Sequence, residues 1–303
     1  MLNYLLSAMN LNLYLKERKK NVDDHLERYI SLKREQNDCP QKLCEAMSYA
    51  LMAGGKRIRP VLSIASYEAV GGESNNIMPV AASLELIHTY SLIHDDLPAM
   101  DNDDFRRNQP TTHKVFGDAI AILAGDALLT DAFNMISHSK TEPEILINVI
   151  KELSYASGPD GMVGGQAVDL ILEGAKAKKE DLLYIHTHKT GALIRASVRI
   201  GAKMGNASPS ELDALTVYGE KIGLAFQVID DILDVTGTKE ELGKTPGADD
   251  ARGKNTYPSI FGLKESQDIA EELVSDSIKA LKGFNKKAGP LAEIARYLIS
   301  RRN

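Results

Sequence analysis

Cysteine is nearly absent. Only Cys39 and Cys44 occur in 303 residues. Their spacing is not CxxC, and no second Cys/His pair completes a zinc site. A disulfide framework is therefore not expected, and both thiols should stay reduced, as in a cytoplasm. No Pro/Gly/Ser-rich linker or shift of composition divides the chain. A single domain over 1–303 is expected, with residues 1–10 as a disordered extension. Long strand-like alternation, fixed-period repeats and low-complexity tracts are missing too. So is the pattern GxxxxGK[ST], which excludes a Walker-type nucleotide site. The N-terminus lacks a basic n-region. Its basic run (Lys16, Arg18, Lys19, Lys20) follows the mildly apolar start, and Asn3, Asn10 and Asn12 interrupt that start. The order is wrong for a signal peptide, and the stretch is too short and polar to span a membrane.

What is present is ordinary for a globular protein: 43% hydrophobic and 26% charged residues. The net charge of −6 argues against general nucleic-acid binding. It does not argue against an anionic substrate, because the bases cluster locally. Apolar residues recur at three- and four-residue spacing almost throughout. Helices are expected over 11–35, 41–52, 117–139, 142–157, 163–173, 179–204 and 209–235, with another opened by Pro60 and shorter ones from 257 to the end. The stretch 79–94 is apolar nearly all round and should be a buried central helix.

That helix delivers Asp95 and Asp96 at its C-terminal end, just before Pro98 disrupts it. Asp101, Asp103 and Asp104 follow. The helix dipole is negative there, so bare carboxylates are badly placed unless cations neutralise them. A second cluster, Asp230, Asp231 and Asp234, follows another apolar stretch. Asp230 and Asp234 share a helix face, and Asp231 is rotated by about 100°. Hard carboxylate oxygens suit Mg²⁺, which shares the rest of its shell with water and phosphate. An EF-hand fails on spacing, with no glycine at the sixth loop position and no terminal glutamate. A solvated acidic helix end would account for one such cluster, less readily for two.

Basic residues form the other half. In Gly54-Gly55-Lys56-Arg57-Ile58-Arg59-Pro60 the glycines let backbone N–H groups approach an anion, while Lys56 and Arg59 supply charge. Arg106 and Arg107 directly follow the first acidic cluster, where charge balance with Asp103 and Asp104 is the simpler explanation. Lys189 stands apart, and Lys244 and Lys254 flank the rest of a glycine-rich loop at 243–250. His88 reads first as a buried histidine. His186 and His188, two apart, do not share a helix face and are given no metal role.

Together these segments resemble the trans-type short-chain prenyltransferases, the polyprenyl diphosphate synthases, and among them the bacterial farnesyl diphosphate synthases. The motifs are GGKRIRP (54–60), LIHTYSLIHDDLPAMDNDDFRRNQPTTH (86–113), GGQAVDL (164–170), HKTGAL (188–193), FQVIDDILD (226–234) and GK…DDARGKNTYP (243–258). The resemblance implies an all-α isoprenoid synthase fold, a single large helical bundle around a central cavity, and a homodimer. It implies three Mg²⁺ per active site, with Mn²⁺ as a substitute. Asp95 and Asp101 would bind two, Asp230 the third, and Asp96, Asp231 and Asp234 would complete the set. Arg106, Lys189 and Lys244 would hold an allylic diphosphate. Lys56, Arg59, His88 and Arg107 would hold isopentenyl diphosphate, with Gly55 and Lys254 also in the substrate site. Thr190 and Gln227 would point at the reacting carbons. The two residues added to the simpler DDxxD spacing, Pro98 among them, match the bacterial farnesyl type. Tyr90 would floor the tunnel and stop growth at C15, with Ser91 leaving room above it. The expected activity is synthesis of (2E,6E)-farnesyl diphosphate from isopentenyl, dimethylallyl and geranyl diphosphates. The alternatives are a geranylgeranyl or geranyl diphosphate synthase, or a non-catalytic partner subunit. A terpene cyclase would need neither GGKRIRP nor His88. Neither nucleic-acid binding nor membrane insertion is expected.

Overall fold

The computed structural model describes residues 2–36, 39–175, 177–237, 255–284 and 286–300, with the backbone alone for 2–10. Helices are numbered over these residues. They are α1 (Leu2–Gln36), α2 (Gln41–Met52), α3 (Ile58–Ala69), α4 (Ile77–Asp95), α5 (Thr112–Phe116), α6 (Asp118–Ser137), α7 (Pro143–Ser157), α8 (Met162–Ile171), α9 (Lys179–Ile185), α10 (Ala192–Met204), α11 (Pro209–Thr236), α12 (Tyr257–Phe261), α13 (Leu263–Ala280) and α14 (Gly289–Ser300). A two-stranded ribbon, β1 (Phe105–Arg106) and β2 (Gln109–Pro110), is the only strand pairing among the described residues. The class is all-α, as the periodicity implied.

Local chemistry sets the ends. Ser208 accepts from the Glu211 N–H and the Glu211 side chain reaches back, a capping box with Pro209 as the first helical residue of α11. Gly54 and Gly71, at φ +88° and +98°, stop α2 and α3 in the left-handed region that side chains resist. Two expectations needed correction. Backbone helix extends through 2–10, so α1 starts nine residues before position 11. The stretch 179–204 is not one α-helix: a π-helical turn, His186–Gly191, separates α9 from α10. Thr187 Oγ1 donates back to the Leu183 carbonyl at 2.7 Å, which loosens the α-helical ladder there. Gly191 also faces Gly223 of α11 so closely that a Cβ on Gly223 would sit 3.0 Å from the Gly191 Cα.

The chain groups into two compact units, Leu13–Ile64 with Ser74–Ile150, and Met1–Asn12 with Ala65–Glu73 and Lys151–Asn303. In the first, α4 packs on α6 and α2. Val80, Ala81, Leu84, Leu86, Ile87, Tyr90 and Ile93 bury it on all sides. One carboxylate, Glu85, is buried with them at 1% exposure. Among the described residues α6 alone is long and apolar enough to cross a membrane, with a mean hydropathy of 1.5, but Ala121, Ala124, Leu128 and Ala132 of it are buried within the fold. In the second unit α11 packs against α10, the π turn and α13. The Tyr218 hydroxyl, wholly buried, donates to the Leu291 carbonyl at 2.8 Å and ties α11 to α14.

Candidate active site

The first acidic cluster is shaped by the turn that ends α4. The Asp101 N–H donates to the Asp95 carbonyl (2.8 Å), and the Met100 and Asn102 N–H groups both donate to Leu97 (2.9 and 3.1 Å). Asn102 adopts φ +50° to close this turn, a conformation Asn tolerates better than most residues. Asp101 is thereby folded back onto Asp95 despite the five intervening residues. Asp96 turns elsewhere. It is 3% exposed and accepts from Arg106 Nε at 2.6 Å. Burial raises its carboxyl to about 6, with Asp103 and Asp95 adding to the rise and Arg106 opposing it.

The ribbon presents the next two arginines. Phe105 pairs with Pro110 and Arg106 with Gln109. The two loop residues, Arg107 and Asn108, both take positive φ, +53° and +62°. This is the geometry a two-residue hairpin requires if its twist is to match the strands. Tyr49 of α2 donates its hydroxyl to the Pro110 carbonyl at 2.7 Å, pinning the ribbon. Charge balance with Asp103 explains Arg106 only in part, since that contact is 3.5 Å while Asp96 is nearer at 2.6 Å. Asp104 pairs with Lys114 instead, at 2.7 Å.

Arg107 returns to the glycine loop. Its Nη1 donates to the Gly54 carbonyl, and its guanidinium lies 2.7–2.9 Å from where a Cβ on Gly55 would be. Gly55, at φ +118°, is thus required both by conformation and by space. Arg57 is 2% exposed, and each nitrogen of its guanidinium donates within the protein: Nη1 to Glu85 (2.6 Å), Nε to Asp23 (2.8 Å) and Nη2 to the Leu51 carbonyl (2.6 Å). Arg59 differs. Its buried Nε has no hydrogen-bond partner. Burial, with Arg107 adding to it and Glu85 opposing, pushes its guanidinium down to about 10. His88 is held well below its ordinary value by burial and then by Arg59, Arg107, Arg106 and Arg57 in turn. Four guanidiniums therefore act on one neutral imidazole, and such a field calls for an anion. Lys56 is exposed at the rim.

Tyr90 is 6% exposed, and its ring meets His94 edge-on at 5.8 Å. His94 in turn lies against Gly125 of α6, where any Cβ would come within 2.1 Å of the imidazole, and its Nε2 is 3.1 Å from the Ile122 carbonyl. Ser91 Oγ is spent within the helix on the His88 carbonyl.

In the second unit, Asp230 is exposed, Asp231 half-buried and Asp234 2% exposed. Asp231 accepts from His186 Nε2 (2.9 Å) and from the Tyr257 N–H (2.8 Å), so it anchors both the π turn and the start of α12. Lys189 donates to Asp169 of α8 at 2.6 Å. Gly165 lets α8 approach, since a Cβ there would lie 2.1 Å from the Lys189 nitrogen. Thr190 and Gln227 are half-buried on the π turn and on α11. Lys244, Lys254 and the 243–250 loop lie outside the described residues. Sequence reasoning missed Glu85, Asp23, Arg57, His94 and Asp169. The one available signal was Glu85, a lone carboxylate in an apolar helix.

The donor chemistry suits Mg²⁺. Asp95 and Asp101 offer hard oxygens on one turn. No group of three His, Cys, Asp or Glu side chains forms a complete metal cage among the described residues. Mg²⁺ characteristically takes one or two carboxylates and fills its shell with water and substrate phosphate.

The polyprenyl synthetase family model matches residues 40–290. The chain belongs to the polyprenyl synthetase family. It is 48% identical over 304 residues to a dimethylallyltranstransferase of Fischerella ambigua, spanning 98% of this chain and 86% of that one. It is 45% identical to a geranylgeranyl diphosphate synthase of Cyanophora paradoxa over 99% of both chains. Among solved structures it resembles an FPP/GFPP synthase of Zymomonas mobilis, with a TM-score of 0.85 and 38% identity over 96% of this chain and 99% of that one. The fold is the all-α isoprenoid synthase fold, and the chain is a prenyltransferase of isoprenoid biosynthesis. Its family works on isopentenyl and allylic diphosphates with a divalent metal, typically Mg²⁺.

Proposed function

We propose that the chain condenses isopentenyl diphosphate with allylic diphosphates and carries growth to the C20, geranylgeranyl product. The four arginines whose charge acts on His88, on the helix that ends at the Asp95–Asp101 turn, carry the chemical part of this reading, with Arg59 Nε unpaired. The C20 length is supported by relatives, among which geranylgeranyl diphosphate synthases predominate. A C15 product is the second reading, favoured by one observation. The buried Tyr90 ring lies five residues, or about 7.5 Å of helix rise, behind Asp95 and is braced by His94.

Arg59, Arg107, Lys56 and His88 bind the isopentenyl diphosphate. Arg106 in the first unit and Lys189 in the second are each assigned to diphosphate binding. Mg²⁺ would be held by Asp95 and Asp101 in the first unit, with Asp96 in support, and by Asp230 in the second, with Asp231 and Asp234 in support. When bound, the metal neutralises charge that develops on the departing diphosphate oxygen. The allylic C–O bond breaks, and the apolar faces of the helices exclude water from the resulting carbocation. The Gln227 carbonyl and Thr190 hydroxyl stabilise positive charge without being strong nucleophiles. The isopentenyl double bond attacks, and the released diphosphate takes the proton lost from the condensed product, being held next to it. A homodimer in the cytoplasm goes with this reading. Ile122 and Leu123, 44% and 52% exposed on α6, offer apolar surface to a second copy.

The test is product identity. The protein is incubated with isopentenyl and dimethylallyl diphosphates and Mg²⁺, and the prenyl alcohols are identified after dephosphorylation. Geranylgeraniol as the main product supports the C20 reading. Farnesol as the main product replaces it with the C15 one.

A further inference from the structure

We infer that Glu85 is a positioning residue for the isopentenyl diphosphate site, locking the GGKRIRP loop and the Arg106–Arg107 ribbon into one geometry through Arg57 and Arg107. Glu85 is 1% exposed on α4, three residues before His88. A lone carboxylate in so apolar a helix is costly to bury unless cations neutralise it. Two do. Arg57 Nη1 donates to its Oε1 at 2.6 Å, and Arg107 Nη2 lies 3.9 Å from the same oxygen. Asp23 of α1 holds the other side of the Arg57 fork at 2.8 Å. All three nitrogens of the Arg57 guanidinium are engaged within the protein and the residue is 2% exposed, so its role is internal. It fixes the loop at a residue with φ +52°, where a side chain other than Gly needs outside support.

Arg107 is fixed twice, through the Gly54 carbonyl and through Glu85. The buried carboxylate thus ties the two cation-bearing segments to the helix that carries His88, while Arg59 is left with an open Nε.

The sign of the effect separates positioning from simple electrostatics. Glu85 is a negative charge inside a site for a negative ligand. If charge alone mattered, removing it would tighten binding. If it positions the arginines, removing it weakens binding although the net positive charge rises. This rests on the reading that Arg59, Arg107, Lys56 and His88 take isopentenyl diphosphate. Glu85→Gln keeps the shape and removes the charge. The expected result is a KM for isopentenyl diphosphate raised about tenfold, with the KM for the allylic diphosphate within about twofold and kcat within about threefold. Asp23→Asn, at the part-exposed outer end of the lattice, should move the same KM in the same direction by about threefold. It keeps the inference testable if Glu85→Gln does not fold. Thermal unfolding is followed for both variants. A lower or unchanged KM for isopentenyl diphosphate in folded variants overturns the inference, as does an equal rise in both KM values. Wild-type protein that turns over no isopentenyl diphosphate would instead sink the functional reading itself.

Discussion

His88 shows most plainly how surroundings decide a residue's chemistry. An isolated imidazole takes a proton near pH 6.5, but burial and four arginines hold this one neutral. On the proposed reading, it therefore binds as a neutral hydrogen-bonding group. His88→Gln should keep the KM for isopentenyl diphosphate within about threefold, whereas His88→Ala should raise it more, by about tenfold. The sign for stability is also fixed. Below about pH 6.5 the unfolded chain takes up a proton that the folded site refuses, so the stability contribution of His88 falls as pH falls. Urea midpoints against pH should drop less steeply on the acid side for His88→Gln than for the wild type. Tyr90 separates the two readings of product length. On the C15 reading, Tyr90→Ala shifts the product to C20 or longer. On the C20 reading the ring is packing, and the chain-length profile stays put. Gas chromatography of the alcohols decides between them.

At the level of elements, much was legible. The bounds of α2 follow from its apolar spacing and the Gly54-Gly55 stop, and α4 was visible as a helix apolar on every face. The ribbon was not. Its loop, Arg107-Asn108, lacks the glycine that usually announces a two-residue hairpin, and tertiary contacts from Gly54 and Glu85 hold Arg107 in the left-handed region. The π turn at His186–Gly191 was hidden too, because a period of 3.6 continues on both sides of it. Its support comes from Gly165 and Asp231, residues distant in sequence. Gly165→Ala places a methyl against the Lys189 backbone, which cannot yield as a flexible side chain would. The variant should lose about 2–3 kcal/mol of stability and at least tenfold in kcat, measured by denaturant unfolding and steady-state kinetics.

For the whole molecule, the two acidic clusters stood out in the sequence because each follows an apolar run. What the sequence could not show was how their members divide. Asp95 and Asp101 share a turn, while Asp96 is committed to Arg106 and Asp231 to His186 and the Tyr257 N–H. That division predicts opposite signatures. Asp101→Ala should cut kcat by about a thousandfold while leaving the unfolding temperature nearly unchanged. Asp231→Asn should lower the unfolding temperature more and kcat less. The decisive experiment is the initial rate at which labelled isopentenyl diphosphate enters prenyl product, with Mg²⁺ present and again after chelation. Incorporation should be rapid with the metal, vanish without it and return when it is restored. Folded, magnesium-loaded protein that joins no isopentenyl unit, or one that does so undiminished under chelation, would contradict the assignment.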